Sequence, residues 1–241
     1  MKHFITYSDA TFKEGKELLL NEAQNLSMFD TASGFSEDII PKDIKKILKD
    51  ILKCKKGGGF YTWKPIVLRL TLDSIANDDI LVYADAGCTI INNEKSKMRL
   101  AEYFEMVSDK DKGKPIIRFE LDDNCKEYKY TNTKIFEHFN VLENEDIVRS
   151  NQYVGGILIL RKCEFTVDLI NEWLNILLNS PLLFTNFYNN YKRHTEFIDN
   201  RHDQSILSIL TKLNKDKVWN IPNETYPYNE DFPILAIWRR K

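Results

Sequence analysis

The chain has only four cysteines in 241 residues, Cys54, Cys88, Cys125 and Cys163, and no CxxC pair among them. A disulfide framework or a cysteine-built zinc site is not expected, and a reducing compartment fits. No GxGxxG follows the first apolar run and there is no P-loop, so both glycine-rich phosphate signatures are missing. The formal net charge is -2. Without a basic excess, no nucleic-acid partner is expected. No apolar run reaches the ~18–20 residues of a membrane span, and the longest, around Ile176 to Phe187, is broken by Asn179, Ser180, Pro181 and Asn186. The first residues, Met1 to Tyr7, lack the apolar region of a signal peptide. These absences describe a soluble, cytoplasmic protein. With no repeat, low-complexity segment or clear linker, one domain over residues 1–241 is the expectation.

The most informative stretch is Asp78 to Cys88. Ile80 to Tyr83 form a short apolar run that suits a strand covered on both faces. Asp85 follows it among Ala84, Ala86 and Gly87, small residues that leave the backbone open to a ligand. In open α/β sheets ligands bind beyond the carboxyl ends of strands. A carboxylate there suits a divalent cation or a ribose hydroxyl, although a turn residue or helix cap has the same appearance.

His3 to Tyr7 reads as the first strand. Ser8 or Asp9 then caps a helix with Phe12, Leu18, Leu19 and Ala23 near helical spacing. Ser27 to Asp30 reads as a second strand, Thr31 to Ser36 as a loop, and Pro41 to Lys53 as a helix. Gly57 to Gly59 break the chain before Trp63-Lys64-Pro65, and Pro65 suits the first position of the next helix. Lys64 would then sit at a helix N-terminus, a plausible phosphate site. Further helices are expected at Lys95 to Val107, Ile135 to Phe139, Glu164 to Leu178, Phe184 to Phe197 and from Asp203 through Leu213. Strands are expected at Pro115 to Leu121, Ile157 to Leu160 and Val218 to Ile221. Gly155 and Gly156, just before a central strand, permit close backbone approach. The Lys-rich run from Lys42 to Lys56 reads as a solvated face.

Gly58 to Pro65, Tyr83 to Gly87, Asn151 to Arg161 and His202 to Ser205, in that order, resemble a GT-A-fold glycosyltransferase of the small kind found in bacterial and viral polysaccharide synthesis. The resemblance implies an α/β fold with a mixed, mostly parallel sheet and helices on both faces. It implies a nucleotide-sugar part over 1–120 and an acceptor part over 121–241. The donor would be a nucleotide sugar, a UDP-sugar being expected, and the acceptor a glycan or a lipid-linked sugar. Thr6, Tyr7 and Ser8 would line base and ribose, and Lys64 would neutralise diphosphate charge. Trp63, Tyr83, Asp85, Ala86 and Gly87 complete the donor set.

Asp85 matches the first Asp of the family's DxD motif, which reaches the ribose and a Mn²⁺ or Mg²⁺ on the diphosphate. Gly87 stands where the second Asp is usual. Asp85 would therefore hold the ion with waters and diphosphate, or with help from His202, or Lys64 would replace the metal. Asp203 is the expected catalytic residue, as base in an inverting enzyme or as stabiliser of the anomeric centre in a retaining one; capping the following helix is the plain alternative. Asn151, Gly155 and Gly156 would border the acceptor. The basic tail from Trp238 to Lys241 would make at most peripheral membrane contact. The rival expectation is a non-catalytic nucleotide- or carbohydrate-binding protein with a degenerate GT-A fold.

Overall fold

Strand β3 (Ile80–Ala84) and strand β6 (Ile157–Arg161) are buried at every residue and form the centre of a six-stranded sheet. The computed structural model describes residues 1–191 and 193–237; the expected membrane-contacting tail lies outside them. The other strands are β1 (Lys2–Tyr7), β2 (Thr31–Phe35), β5 (Ile116–Glu120) and β7 (Val218–Pro222), in the order β2-β1-β3-β6-β5-β7. Three of its five pairings are parallel; β6 alone runs against both its neighbours. A small second sheet pairs β4 (Thr89–Ile90) with β8 (Ile234–Leu235).

Period-2 alternation divides the core into two layers. Ile5, Leu81, Tyr83, Leu158 and Leu160 point to one face, with helices α2 (Trp63–Ser74), α4 (Glu164–Asn179) and α5 (Asp203–Leu213). Phe4, Ile80, Val82, Ile157 and Ile159 point to the other, covered by α1 (Lys13–Leu26) and α3 (Glu94–Ser108). In α1 the buried residues Leu19, Ala23 and Leu26 recur at helical spacing. Asn93 and Ser96 form a capping box that starts α3. The result is a single α/β domain with helices on both faces of a mixed, mostly parallel sheet.

The structure departs from the sequence reading in four places. The second strand is Thr31–Phe35, not Ser27 to Asp30, because α1 runs to Leu26 and Ser27 closes it in the left-handed conformation. Pro41 to Lys53 is not one helix but two short ones, Lys42–Ile47 and Lys49–Leu52, separated at Leu48. Phe184 to Phe197 is not helical: after a 3₁₀ turn at Pro181–Phe184 the described residues follow turns. There Asn200 Nδ2 donates to the carbonyls of Leu183 and Thr185 and ties the loop down. Pro65, moreover, is the third residue of α2, so the helix begins at Trp63.

Candidate active site

Because β6 is antiparallel to β3, the start of one lies beside the end of the other, with Ala84 opposite Ile157. The turn after β3 and the Gly155-Gly156 pair before β6 therefore meet at one edge of the sheet. Asp85 N–H donates to the Gly156 carbonyl at 2.8 Å. A Cβ on Gly156 would lie 2.9 Å from Asp85 Oδ2, and one on Gly155 would lie 2.6 Å from Gln204 Cβ. Side chains at these positions would run into Asp85 and Gln204, so the two glycines allow the close packing of this edge.

Lys64, in the first turn of α2, reaches the same edge. Its Nζ donates to Asp203 Oδ2 at 2.6 Å and to the Gly155 carbonyl at 2.9 Å, and lies 3.3 Å from Asp85 Oδ1. The rings of Tyr61, Trp63 and Tyr83 stand 5.4, 5.6 and 5.4 Å from it. Burial disfavours the ammonium, but the carboxylates of Asp203 and Asp85 more than offset this and hold its pKa above the usual lysine range. Lys64 is thus a permanent cation between two carboxylates, and these contacts engage its three protons.

Asp203 behaves differently. Burial pushes its pKa up, Lys64 pulls it down and Asp85 raises it again, for a value of about 6. The two shifts have different causes: burial raises Asp203 against the pull of Lys64, whereas two nearby carboxylates raise Lys64 against its burial. Asp203 is the first residue of α5, and the cap position before it belongs to His202. Its carboxylate is turned to Lys64, so capping does not account for it. Burial also raises the Tyr83 hydroxyl well above its ordinary value, so it stays protonated and donates to Asp85 Oδ1. The thiol of Cys88, likewise pushed up by burial, is no nucleophile.

The remaining candidates fall into place around this centre. Tyr7 and Trp63 stack with ring centroids 4.0 Å apart and, with Ser8, Ala86 and Gly87, line a hollow of about 100 Å³. Thr6 and Ser8 are buried with hydroxyls that have no partner. Asp85, Gly87, Lys64, Gly155, Gly156, His202 and Asp203 all line an adjoining cleft of about 550 Å³. Asn151 is not brought to that cleft; it lines a neighbouring hollow.

His202 has φ +57° and ψ -119°, a conformation costly for a side chain bearing Cβ. Its Nδ1 lies 2.9 Å from the Phe184 carbonyl, which can only accept, so Nδ1 carries the proton. Burial lowers its pKa to about 4, and Nε2 has no partner. A divalent ion needs several oxygen or nitrogen ligands. Among the described residues no three His, Cys, Asp or Glu side chains gather to supply them. Asp85 Oδ1 is already held by Lys64 and Tyr83. The side chains present do not fit a protein-built metal centre.

Sequence reasoning missed Lys55 and Tyr61 in the hollow and Lys56 in the cleft. Lys55 and Lys56 belong to a run that reads as solvated. The signal lies in the adjacent glycines: Gly57 to Gly59 have φ of +57°, +53° and +93°, which turn the chain back over the site.

The fold is similar to that of a glycosyltransferase involved in glycosylation of the major capsid of PBCV-1, with TM-score 0.51 and 8% identity over 97% of this chain and 92% of that one. Mouse xyloside xylosyltransferase 1 in its apo form matches with TM-score 0.48 and 10% identity over 94% and 87%. Core-mannan synthase A from Aspergillus fumigatus in its Mn/GDP form matches with TM-score 0.44 and 10% identity over 91% and 72%. No family model and no curated protein matches the sequence. The architecture is that of GT-A-type glycosyltransferases.

Proposed function

We propose that this chain is a glycosyltransferase that moves a sugar from a nucleoside-diphosphate sugar, a UDP-sugar first among candidates, to a glycan or lipid-linked acceptor. The observation that carries this reading is the Asp85–Lys64–Asp203 cluster. It stands at the carboxyl end of β3, where a 100 Å³ aromatic-walled hollow opens beside a 550 Å³ cleft. The nucleoside lies in the hollow near Thr6, Tyr7, Ser8 and Trp63. Asp85, Ala86 and Gly87 face its ribose and diphosphate, and the sugars meet in the cleft. Residues 1–120 supply most of the donor side and 121–241 the acceptor side. No helix among the described residues is long and apolar enough to cross a membrane, and the proposed setting is cytoplasmic.

Asp203 carries the proton chemistry. With a pKa of about 6 it is mostly ionised at neutral pH and close to the pH at which a base works best. It accepts the proton of the acceptor hydroxyl as that oxygen bonds to the anomeric carbon. The bond from that carbon to the diphosphate breaks, and the nucleoside diphosphate leaves with the electron pair. Lys64 fixes both carboxylates without needing solvent to reorganise, the condition under which charge is most effective in a site. Lys55 lines the hollow, whereas Lys56 lines the cleft and pairs with Asp199 at 3.0 Å; with the protons of Lys64 taken, Lys55 is the cation proposed to meet the diphosphate.

The second reading, a nucleotide- or carbohydrate-binding protein without transferase activity, is favoured by one observation: Lys64 already satisfies the carboxylate that must act as base. Slow hydrolysis of a nucleotide sugar without acceptor separates the two. The transferase reading expects hydrolysis, its loss in Asp203→Asn and retained nucleotide binding. Binding without hydrolysis by the wild type would leave the second reading standing.

A further inference from the structure

Beyond the cleft, the chain from Glu120 to Asp122 and the loop after β7 enclose another hollow, of about 500 Å³. It shares Asp122, Asn223 and Tyr226 with the cleft that holds Asp85 and Asp203, so the two are continuous. Tyr226 is 61% exposed and lines both the cleft and this hollow, so its ring is open to a ligand lying across the two. Lining the same space are Glu120, whose carboxylate accepts from Asn220 Nδ2 at 2.6 Å, and Asn151. Among the described residues the lining carries two carboxylates, Glu120 and Asp122, and no cationic side chain.

From this we infer that the hollow is a second acceptor subsite, and that it takes a neutral sugar unit of an oligosaccharide chain. The inference rests on the transferase reading for the direction of the chain, whose terminal hydroxyl lies in the cleft near Asp203. A pyranose has an apolar face of C–H groups that packs on an aromatic ring, here Tyr226, while its hydroxyls pair with amides and carboxylates. Glu120 and Asp122 repel an incoming carboxylate, sulfate or phosphate. A neutral glycan of two or more units therefore fits better than a sugar joined directly to a lipid diphosphate.

The test uses the full chain on a printed array of neutral and acidic oligosaccharides, with UDP present. The best-binding oligosaccharide is then titrated against its own terminal monosaccharide. Nucleotide binding is followed separately by thermal shift. The expected result is a neutral oligosaccharide that binds about tenfold or more tightly than the monosaccharide. Tyr226→Ala removes that advantage and Tyr226→Phe keeps it. Because Tyr226 is exposed, both variants should melt with the wild type, which separates lost binding from lost folding. Preference for acidic glycans overturns the inference, as do equal affinities for the two lengths and wild-type binding by Tyr226→Ala. So does nucleotide binding with no glycan bound. Neutral glycan bound without any nucleotide binding supports the subsite and overturns the transferase reading instead.

Discussion

Lys64 Nζ and Asp203 Oδ2 stand 2.6 Å apart, both buried, on residues 139 positions apart in the chain. The pair joins the first turn of α2 to the first turn of α5, and through Asp85 it also fixes the end of β3. Breaking a buried ion pair by removing one partner costs about 3–5 kcal/mol, because the other charge is stranded. Lys64→Met should therefore lower unfolding free energy in urea by that amount. Lys64→Met combined with Asp203→Leu should cost less than Lys64→Met alone. A single variant within ~1 kcal/mol of the wild type would mean that the cluster is solvated and the charges weakly coupled.

The same pair sets a pH dependence. Asp203 holds its proton more tightly folded than unfolded, with a pKa of about 6 against an ordinary 3.8. Between about pH 4 and 6 the folded state binds more protons, so this group's contribution makes stability fall as pH rises. The full effect is ~3 kcal/mol, from roughly two pKa units at 1.36 kcal/mol each. Lys64 is shifted in the stabilising direction, but its contribution is lost only above about pH 10 and lies outside the window. Denaturation of wild type and Asp203→Asn across pH 4 to 7 should show the wild type losing ground to the variant as pH rises. Hydrolysis of the donor should rise over the same range as the base ionises. A difference between the two proteins that does not change with pH would contradict a raised Asp203 pKa.

The central strands were legible because their signal is local. Ile80 to Ala84 and Ile157 to Leu160 are unbroken apolar runs, and burial on both faces produces such runs. Strand β2 was not legible. Thr31-Ala32-Ser33-Gly34-Phe35 lies at the sheet edge and is mostly exposed, so no apolar pattern marks it, and only pairing with β1 makes it a strand. Asp85, Lys64 and Asp203 could be picked out singly from small neighbours and strand or helix ends. That they share one site was expected from the sequence; that Lys64 pairs directly with both carboxylates was not, because that pairing depends on the antiparallel entry of β6 and on contacts over most of the chain. The close packing of Gly155 and Gly156 against Gln204 and Asp85 is likewise visible only in three dimensions.

Gly156 offers a narrow test of that packing. A methyl group there meets Asp85 Oδ2 at 2.9 Å, so the carboxylate must swing or the β3–β6 edge must open. Gly156→Ala should weaken nucleotide binding about tenfold or more. The loss of stability should be modest, of order 1–3 kcal/mol as for other overpacked sites. Nucleotide titration and urea denaturation of the same preparation separate the two effects. Wild-type affinity in this variant would show that Asp85 does not touch the donor.

Metal dependence tests the donor site from another side. A ligand that binds only the native state raises its melting temperature. UDP, GDP, CMP and dTDP, each with and without Mn²⁺, should therefore produce a shift with one nucleotide if the hollow beside Tyr7 and Trp63 is a nucleoside site. Lys64 already supplies a cation at 3.3 Å from Asp85 Oδ1, and no third ligand joins Asp85 and His202 among the described residues. The expected shift is therefore present without Mn²⁺ and survives EDTA. A shift that requires Mn²⁺ would assign the ion to Asp85 and the donor diphosphate, in place of the contact between Lys64 and Asp85. If none of the four nucleotides shifts the protein, the glycosyltransferase reading fails, whatever the likeness of the fold.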